Sequence, residues 1–279
     1  MGHSQSKAEA FFSKQPRDVH VLDQAAAADI LSRAELIDNY RGSCAACRAN
    51  SAARAGQDYS ARPPSADTVP FLAAINSFPT WLRDYLPPIL YIAFLANSAD
   101  GGMPHTRPQN IVCLPQYFNP EGAAGRETFM HECVHIHQRT YPDIWDRIYR
   151  TVFHMEPYRG PLPDALETRR RYNPDTSAEP LYMWRSRWVA VPAFSRPEQP
   201  QLGAVKILYY NVKTGAWQAF MPPEMVAEFG DLSVAQAEHP AELAAYLLSG
   251  GAAASSQQAA AIRQELEQAL IELLEDSYV

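Results

Sequence analysis

Two histidines four residues apart, with a glutamate beside the first, are the part of this chain best suited to chemistry. His131-Glu132-Cys133-Val134-His135 reads H-E-x-x-H, inside Thr128-Phe-Met-His-Glu-Cys-Val-His-Ile-His-Gln-Arg139. On a helix, residues four apart stack on one face, so His131 and His135 can offer ring nitrogens to one metal ion. Glu132 sits about 100° further round and can reach a water on that ion. Imidazole and carboxylate donors suit Zn2+, and a catalytic zinc keeps one position open for water. The same spacing occurs on ordinary amphipathic helices, where paired histidines are simply buried and hydrogen-bonded. The context favours a metal: Met130, Cys133 and Val134 imply a helix buried on most sides, and buried Glu and His need partners. His137 falls about 240° from His131, off the metal face, and is expected to be structural or exposed.

The motif must be held by its neighbours. The spacing predicts its helix over residues 126–139. Residues 89–95 are a continuous apolar run, consistent with a buried strand, and residues 109–114 are a second strand candidate. Pro104 and Pro108 place the stretch between them at an edge or irregular lip. Residues 69–78 and 81–86 read as short helices closed by prolines. Downstream, residues 141–153 read as a helix, residues 181–194 as one strand, and residues 204–210 and 216–221 as a hairpin around Asn211-Val-Lys-Thr-Gly215. Residues 257–276 form an amphipathic helix with Ile262, Leu266, Ala269, Leu270, Leu273 and Leu274 on one side.

Strands, an irregular edge and then an H-E-x-x-H helix resemble the zincin metallopeptidases. The match spans residues 89–139, and its specific part is the five-residue motif. The resemblance implies an α+β, zincin-like domain with a small mixed sheet, the active-site helix and a helical part after it. It also implies a peptide or protein substrate held along an edge lip at residues 103–106, Zn2+ as cofactor, and Glu132 as general base. The chain departs from the metzincin pattern, since Gln138 stands where that pattern has Gly. A glutamate third ligand, the gluzincin arrangement, is then expected. Glu242 has the best setting: Pro240 suits a first helical turn and apolar residues follow. Its other reading is an acid at a helix N-terminus. Glu238 and Glu156 are the alternatives; Glu167 lies in a basic, exposed-looking helix. For binding substrate or stabilising an oxyanion, the candidates are His105, Tyr182 and Tyr172.

Composition limits the rest. The chain has 279 residues, a net charge of −7, and 47% hydrophobic and 20% charged residues, so it can bury a core and has no general electrostatic case for nucleic acid. No uncharged apolar run reaches transmembrane length, and the polar start shows no secretory signal. A cytoplasmic, reducing location is expected, with four cysteines too few for a disulfide scaffold. Cys44-Ala-Ala-Cys47 lacks a second pair to complete a zinc ribbon and reads as two ordinary thiols. Met1-Gly2-His3-Ser4-Gln5-Ser6 fits the N-myristoylation pattern, which would make Gly2 a lipid-bearing residue and give peripheral attachment to a membrane. The expected organisation is an N-terminal extension and linker (1–65), a zincin-like domain (66–250) and a C-terminal helix (251–279) that packs on the domain or on a protein partner. The rival to a peptidase is a non-catalytic, zinc-stabilised, membrane-tethered scaffold or virion-type component.

Overall fold

The structure is a computed structural model; it describes residues 18–47, 58–198, 200–230, 237–250 and 256–276. Among these the chain is mixed α+β, with ten α-helices and two sheets. The first sheet holds β1 (Asp18–Val21), β2 (Ile89–Leu95), β3 (His105–Arg107) and β4 (Ile111–Pro115) in the order β1-β2-β4-β3. β1, β2 and β4 run parallel and β3 returns antiparallel on the edge. Pro104 and Pro108 bracket β3, as a residue without an N–H requires at a sheet margin.

Alternation along the strands gives this sheet two apolar faces. Leu90, Ile92, Phe94, Val112 and Leu114 join the main core, whereas Ala93, Leu95, Ile111 and Cys113 face a second cluster. That second cluster is closed by Ala27, Ile30, Leu31 and Ala34 of α1 (Gln24–Asp38). Asp23 caps α1, its side chain accepting from Ala26 N at 2.8 Å, and left-handed Asn39 ends it before α2 (Tyr40–Cys47). Residues 18–38 are therefore built into the sheet. The boundary expected at residue 65 does not describe them, because β1 pairs with β2 and α1 covers a buried face. Even part of the expected linker is engaged: Ala61 bridges Leu95, and Arg62 N donates to Phe94 O at 2.8 Å. Gly2 lies outside the described residues, as do the side chains of Cys44 and Cys47.

The main core is filled by helices. α3 (Val69–Asn76) and α4 (Thr80–Arg83) pack beside α5 (Ala123–Thr140), where Phe129 meets Phe71 edge-on at 5.1 Å. At Gly125 an added Cβ would lie 1.8 Å from Asn119 O, so only glycine lets the start of α5 sit there. α6 (Pro142–Thr151) follows, and Trp145 Nε1 donates to His137 Nδ1 at 2.9 Å. His137 is thus structural and fully buried, and burial alone pushes its pKa down to about 3.

A second, antiparallel sheet runs β5 (Met155–Tyr158), β6 (Leu181–Trp184), β7 (Trp188–Phe194), β8 (Val205–Asn211) and β9 (Trp217–Gln218), with α7 (Asp164–Glu167) between β5 and β6. The single strand expected over 181–194 is two strands. They are joined by left-handed Arg185 and Ser186, with Arg187 N donating to Trp184 O at 3.0 Å. After the β8–β9 hairpin come α8 (Pro223–Phe229), α9 (Pro240–Ser249) and α10 (Gln257–Asp276). Leu266, Leu270 and Leu274 of α10 are buried, and the helix packs on α9, α6, α4 and α8. Ile262, Ala269 and Leu273 of the same stripe are half-buried against the main core. No helix among the described residues is long and apolar enough to cross a membrane.

Candidate metal centre

From Phe129 to Gln138 of α5 every residue except His131 is buried. α9 packs along α5 more extensively than any other helix does, which brings Glu242 over the two histidines. His135 Nε2 lies 3.1 Å from His131 Nε2. Glu242 Oε2 is 3.4 Å from His131 Nε2, and Glu242 Oε1 is 3.6 Å from His135 Nε2. A tetrahedral zinc with bonds of 2.0–2.1 Å would hold its donors about 3.3 Å apart. The spacing of the two ring nitrogens and the Glu242 carboxylate therefore fits a shared ion. Among the described residues they are the one group of His, Cys, Asp or Glu donors close enough to share a metal.

The charges within the group are coupled. Burial works against a charged His135, but the carboxylates of Glu242 and Asp175 outweigh it and raise its pKa to about 10. Burial likewise opposes the Glu242 carboxylate, and His135 and His131 outweigh it, holding that group well below the usual range. An imidazolium paired with a carboxylate becomes two metal donors once the proton leaves.

Support around the donors is specific. Gln138 Nε2 donates to Ala241 O at 2.9 Å, which fixes the amide so that Oε1 faces His135 Nδ1 at 2.7 Å. Nδ1 then carries the hydrogen and Nε2 is left bare for a metal. One side chain thus orients a histidine and anchors the turn that bears Glu242. If the three residues hold zinc, Gln138→Leu should weaken its affinity about 10- to 100-fold, as loss of such outer partners does, in a competition titration with a chromophoric chelator. An unchanged affinity would remove Gln138 from the site. On the other flank, Asn173 Nδ2 donates to Glu242 Oε1 at 2.6 Å and to Glu238 Oε1 at 2.7 Å.

Glu132 is 3% exposed, and its Oε2 has no hydrogen-bond partner. Burial first, and then Asp175, push its pKa well above the usual carboxylate range. Such an orphaned buried oxygen is costly unless something is meant to meet it. It lines a cleft of ≈ 320 Å³ together with His131, Glu242, Tyr246 and Pro104. Tyr246 is one helical turn beyond Glu242, and its ring centroid is 4.5 Å from that of His131.

The other expected site residues fall elsewhere. His105 pairs with Cys113 in the sheet register and so shares the α1 face, away from α5. It contacts Tyr59 Oη at 2.6 Å and Met103 O at 3.1 Å and does not line the cleft. Tyr182, on β6, packs edge-on against Tyr149 and His239 outside the cleft. Tyr172 donates to Glu167 Oε1 at 3.3 Å and is also outside it. Glu156 is in β5 and accepts from Ser186 Oγ at 2.7 Å. Glu238 lines the cleft but is held by Asn173 and by Arg171 Nη1 at 3.2 Å, outside the group of three. Of the expected lip, Met103 and Pro104 line the cleft, while Thr106 N and Oγ1 both donate to Asp175 Oδ1, at 2.7 and 2.6 Å. Tyr246, Asn173 and Asp175 were not singled out from the sequence as site residues. The i+4 spacing from Glu242 would have pointed to Tyr246; nothing local marks the other two.

His239 caps α9 in an unusual way. Its Nδ1 accepts from Ala241 N at 3.2 Å and its Nε2 donates to Pro180 O at 3.1 Å, so the neutral ring uses both nitrogens. Burial lowers its pKa from 6.5 to about 4. As pH falls through that window the unfolded chain takes the proton first, so this contribution is complete above 6.5 and is lost toward 4. The loss should be roughly 3 kcal/mol, at 1.36 kcal/mol per unit. His239→Asn can still cap but does not titrate. The stability gap between wild type and this variant should narrow with acid in urea titrations, and a pH-independent gap would refute the assignment.

No family model, curated protein or solved structure matches this chain. The class of site therefore rests on its own geometry.

Proposed function

We propose that the protein is a zinc-dependent metallopeptidase of zincin-like, gluzincin type, with His131, His135 and Glu242 as the metal ligands. The observation that carries this reading is the buried, unpartnered Oε2 of Glu132 on the cleft wall beside three convergent donors. A closed structural zinc site would need a fourth protein donor, and none joins the group among the described residues. When bound, zinc polarises a carbonyl and lowers the pKa of water toward neutrality. Glu132 accepts the proton of the attacking water at Oε2 and passes it to the departing amine. The Tyr246 hydroxyl, its pKa raised to about 12 by burial and then by Glu242, keeps its proton and donates a hydrogen bond to the oxyanion. Asn173 holds Glu242 in place, and Asp175 closes the strand edge at Thr106.

The test is zinc content and peptide hydrolysis on the same preparation. Wild type should bind zinc stoichiometrically and cleave a mixed library of internally quenched peptides, with activity lost to a chelator and restored by zinc. Glu242→Ala should lose both. Failure of the wild type to hold zinc would end the proposal. Stoichiometric zinc without hydrolysis would favour the scaffold reading instead.

A further inference from the structure

The cleft wall is acidic beyond what the metal requires. Six carboxylates line it (Asp100, Glu127, Glu132, Asp175, Glu238 and Glu242) against one guanidinium, Arg171. Three of the six are occupied, since Glu238 and Glu242 share Asn173 and Asp175 Oδ1 takes Thr106; Glu127 is exposed, and the unpartnered Glu132 Oε2 is assigned to the attacking water. Asp100 differs. It is 2% exposed, and its Oδ1 accepts from Tyr40 Oη at 2.7 Å. Its Oδ2 is buried with no hydrogen-bond partner; Arg171 Nη2 is 3.7 Å away, too far for a hydrogen bond. A buried anionic oxygen at the wall of a cleft, held only by a long ion pair with Arg171, suits a ligand that brings its own hydrogen-bond donors.

We propose that the wall from Glu238 to Asp100 is a subsite for a cationic group of the substrate, an ammonium or a guanidinium next to the bond that is cut. The inference deepens the peptidase reading and rests on it. An amino terminus and a Lys or Arg side chain share the required chemistry: positive charge with several N–H donors. The order of contacts sets the reach. Glu242 and Glu238 are bridged by one amide nitrogen, and Arg171 stands between Glu238 and Asp100. The subsite therefore begins one side chain away from the metal donors.

The test uses zinc-loaded, full-length protein and one quenched-peptide frame. The residues flanking the cut carry Lys, Arg, Ala or Glu, and each peptide has a free or an acetylated amino terminus. Charged hydrogen bonds of this kind predict a preference of roughly 10- to 100-fold in kcat/KM for the cationic form. A preference that follows the side chain identifies a basic residue; one lost on acetylation identifies the amino terminus. Asp100→Asn keeps the shape and a partner for Tyr40 and should shrink the preference about tenfold, whereas Glu275→Gln, exposed on α10, should leave it. Equal cleavage of the Lys, Ala and Glu peptides, free and acetylated, would overturn the subsite while sparing the peptidase reading. If nothing is cleaved, the peptidase reading fails by itself. The subsite is then judged by anisotropy of a labelled Lys tripeptide against its Ala counterpart, where equal affinity overturns it. The wild-type preference decides the question even if Asp100→Asn fails to fold.

Discussion

Glu132→Gln is expected to leave zinc binding intact and to lower kcat about 10²- to 10⁴-fold, the usual contribution of a positioned general base. Glu132 is absent from the donor group, so the ligand set is untouched by the change. The amide is nearly isosteric, which spares the packing of α5, and it cannot accept a proton from water at neutral pH. The decisive comparison is with Glu242→Ala, which removes a donor and should lose metal and activity together. Zinc per chain by atomic absorption, measured beside steady-state rates, separates the two roles. A Glu132→Gln enzyme with near wild-type kcat would place the proton transfer on another group; an apo Glu132→Gln protein would make Glu132 a ligand or a fold determinant.

The second large effect concerns the opposite face of the sheet. Arg107 is fully buried, with Nε and Nη2 on the two oxygens of Asp38 at 2.7 Å each, and Nη2 also 2.8 Å from Glu35. Nη1 donates to Tyr59 Oη at 3.0 Å, and the guanidinium lies over the Tyr40 ring at 5.1 Å. Arg107→Leu would leave the Asp38 carboxylate, only 1% exposed, without its cation, which costs about 3–5 kcal/mol for a buried pair. Chemical denaturation should show that loss. The double change Arg107→Leu with Asp38→Leu should recover much of it, because the uncompensated charge goes too. A loss below about 1 kcal/mol would class the bridge with exposed pairs and detach α1 from the body of the fold.

Legibility in the sequence followed the range of the forces involved. Apolar runs and helical periods are local, so β2, β4, α5, α6 and α10 are readable within a few residues of their ends, as is the β8–β9 hairpin. β1 is not, because four residues of Asp-Val-His-Val become a strand only through a partner some seventy positions later. The β6–β7 turn is hidden because Arg185 and Ser186 adopt left-handed backbone without the Asn or Gly that usually advertises it. Within the site, the i, i+4 rule brought out His131 and His135, and a proline-led apolar helix brought out Glu242. His105 and Tyr182 were candidates by residue type, but strand register turned His105 to the far face and sheet packing held Tyr182 against Tyr149. Asn173 and Asp175 come from an irregular stretch, where no periodicity reports which way a side chain points.

The near-complete burial of α5 from Phe129 to Gln138 has a consequence for descent. A surface helix can exchange most of its residues while keeping one functional stripe. Here other sides of the helix are also committed, through Phe129 to Phe71 and through His137 to Trp145, while Gln138 is held by the backbone before Glu242. Few single substitutions in that decapeptide would be tolerated, whatever the protein's task. Any lineage carrying this gene should therefore change slowly there and faster at exposed positions of α10 such as Glu272 and Glu275. Slow change across all ten positions would reflect packing and chemistry together. Drift at His131, His135 and Glu132 alone, with the apolar positions held, would mark a branch that has kept the fold and given up the proposed reaction.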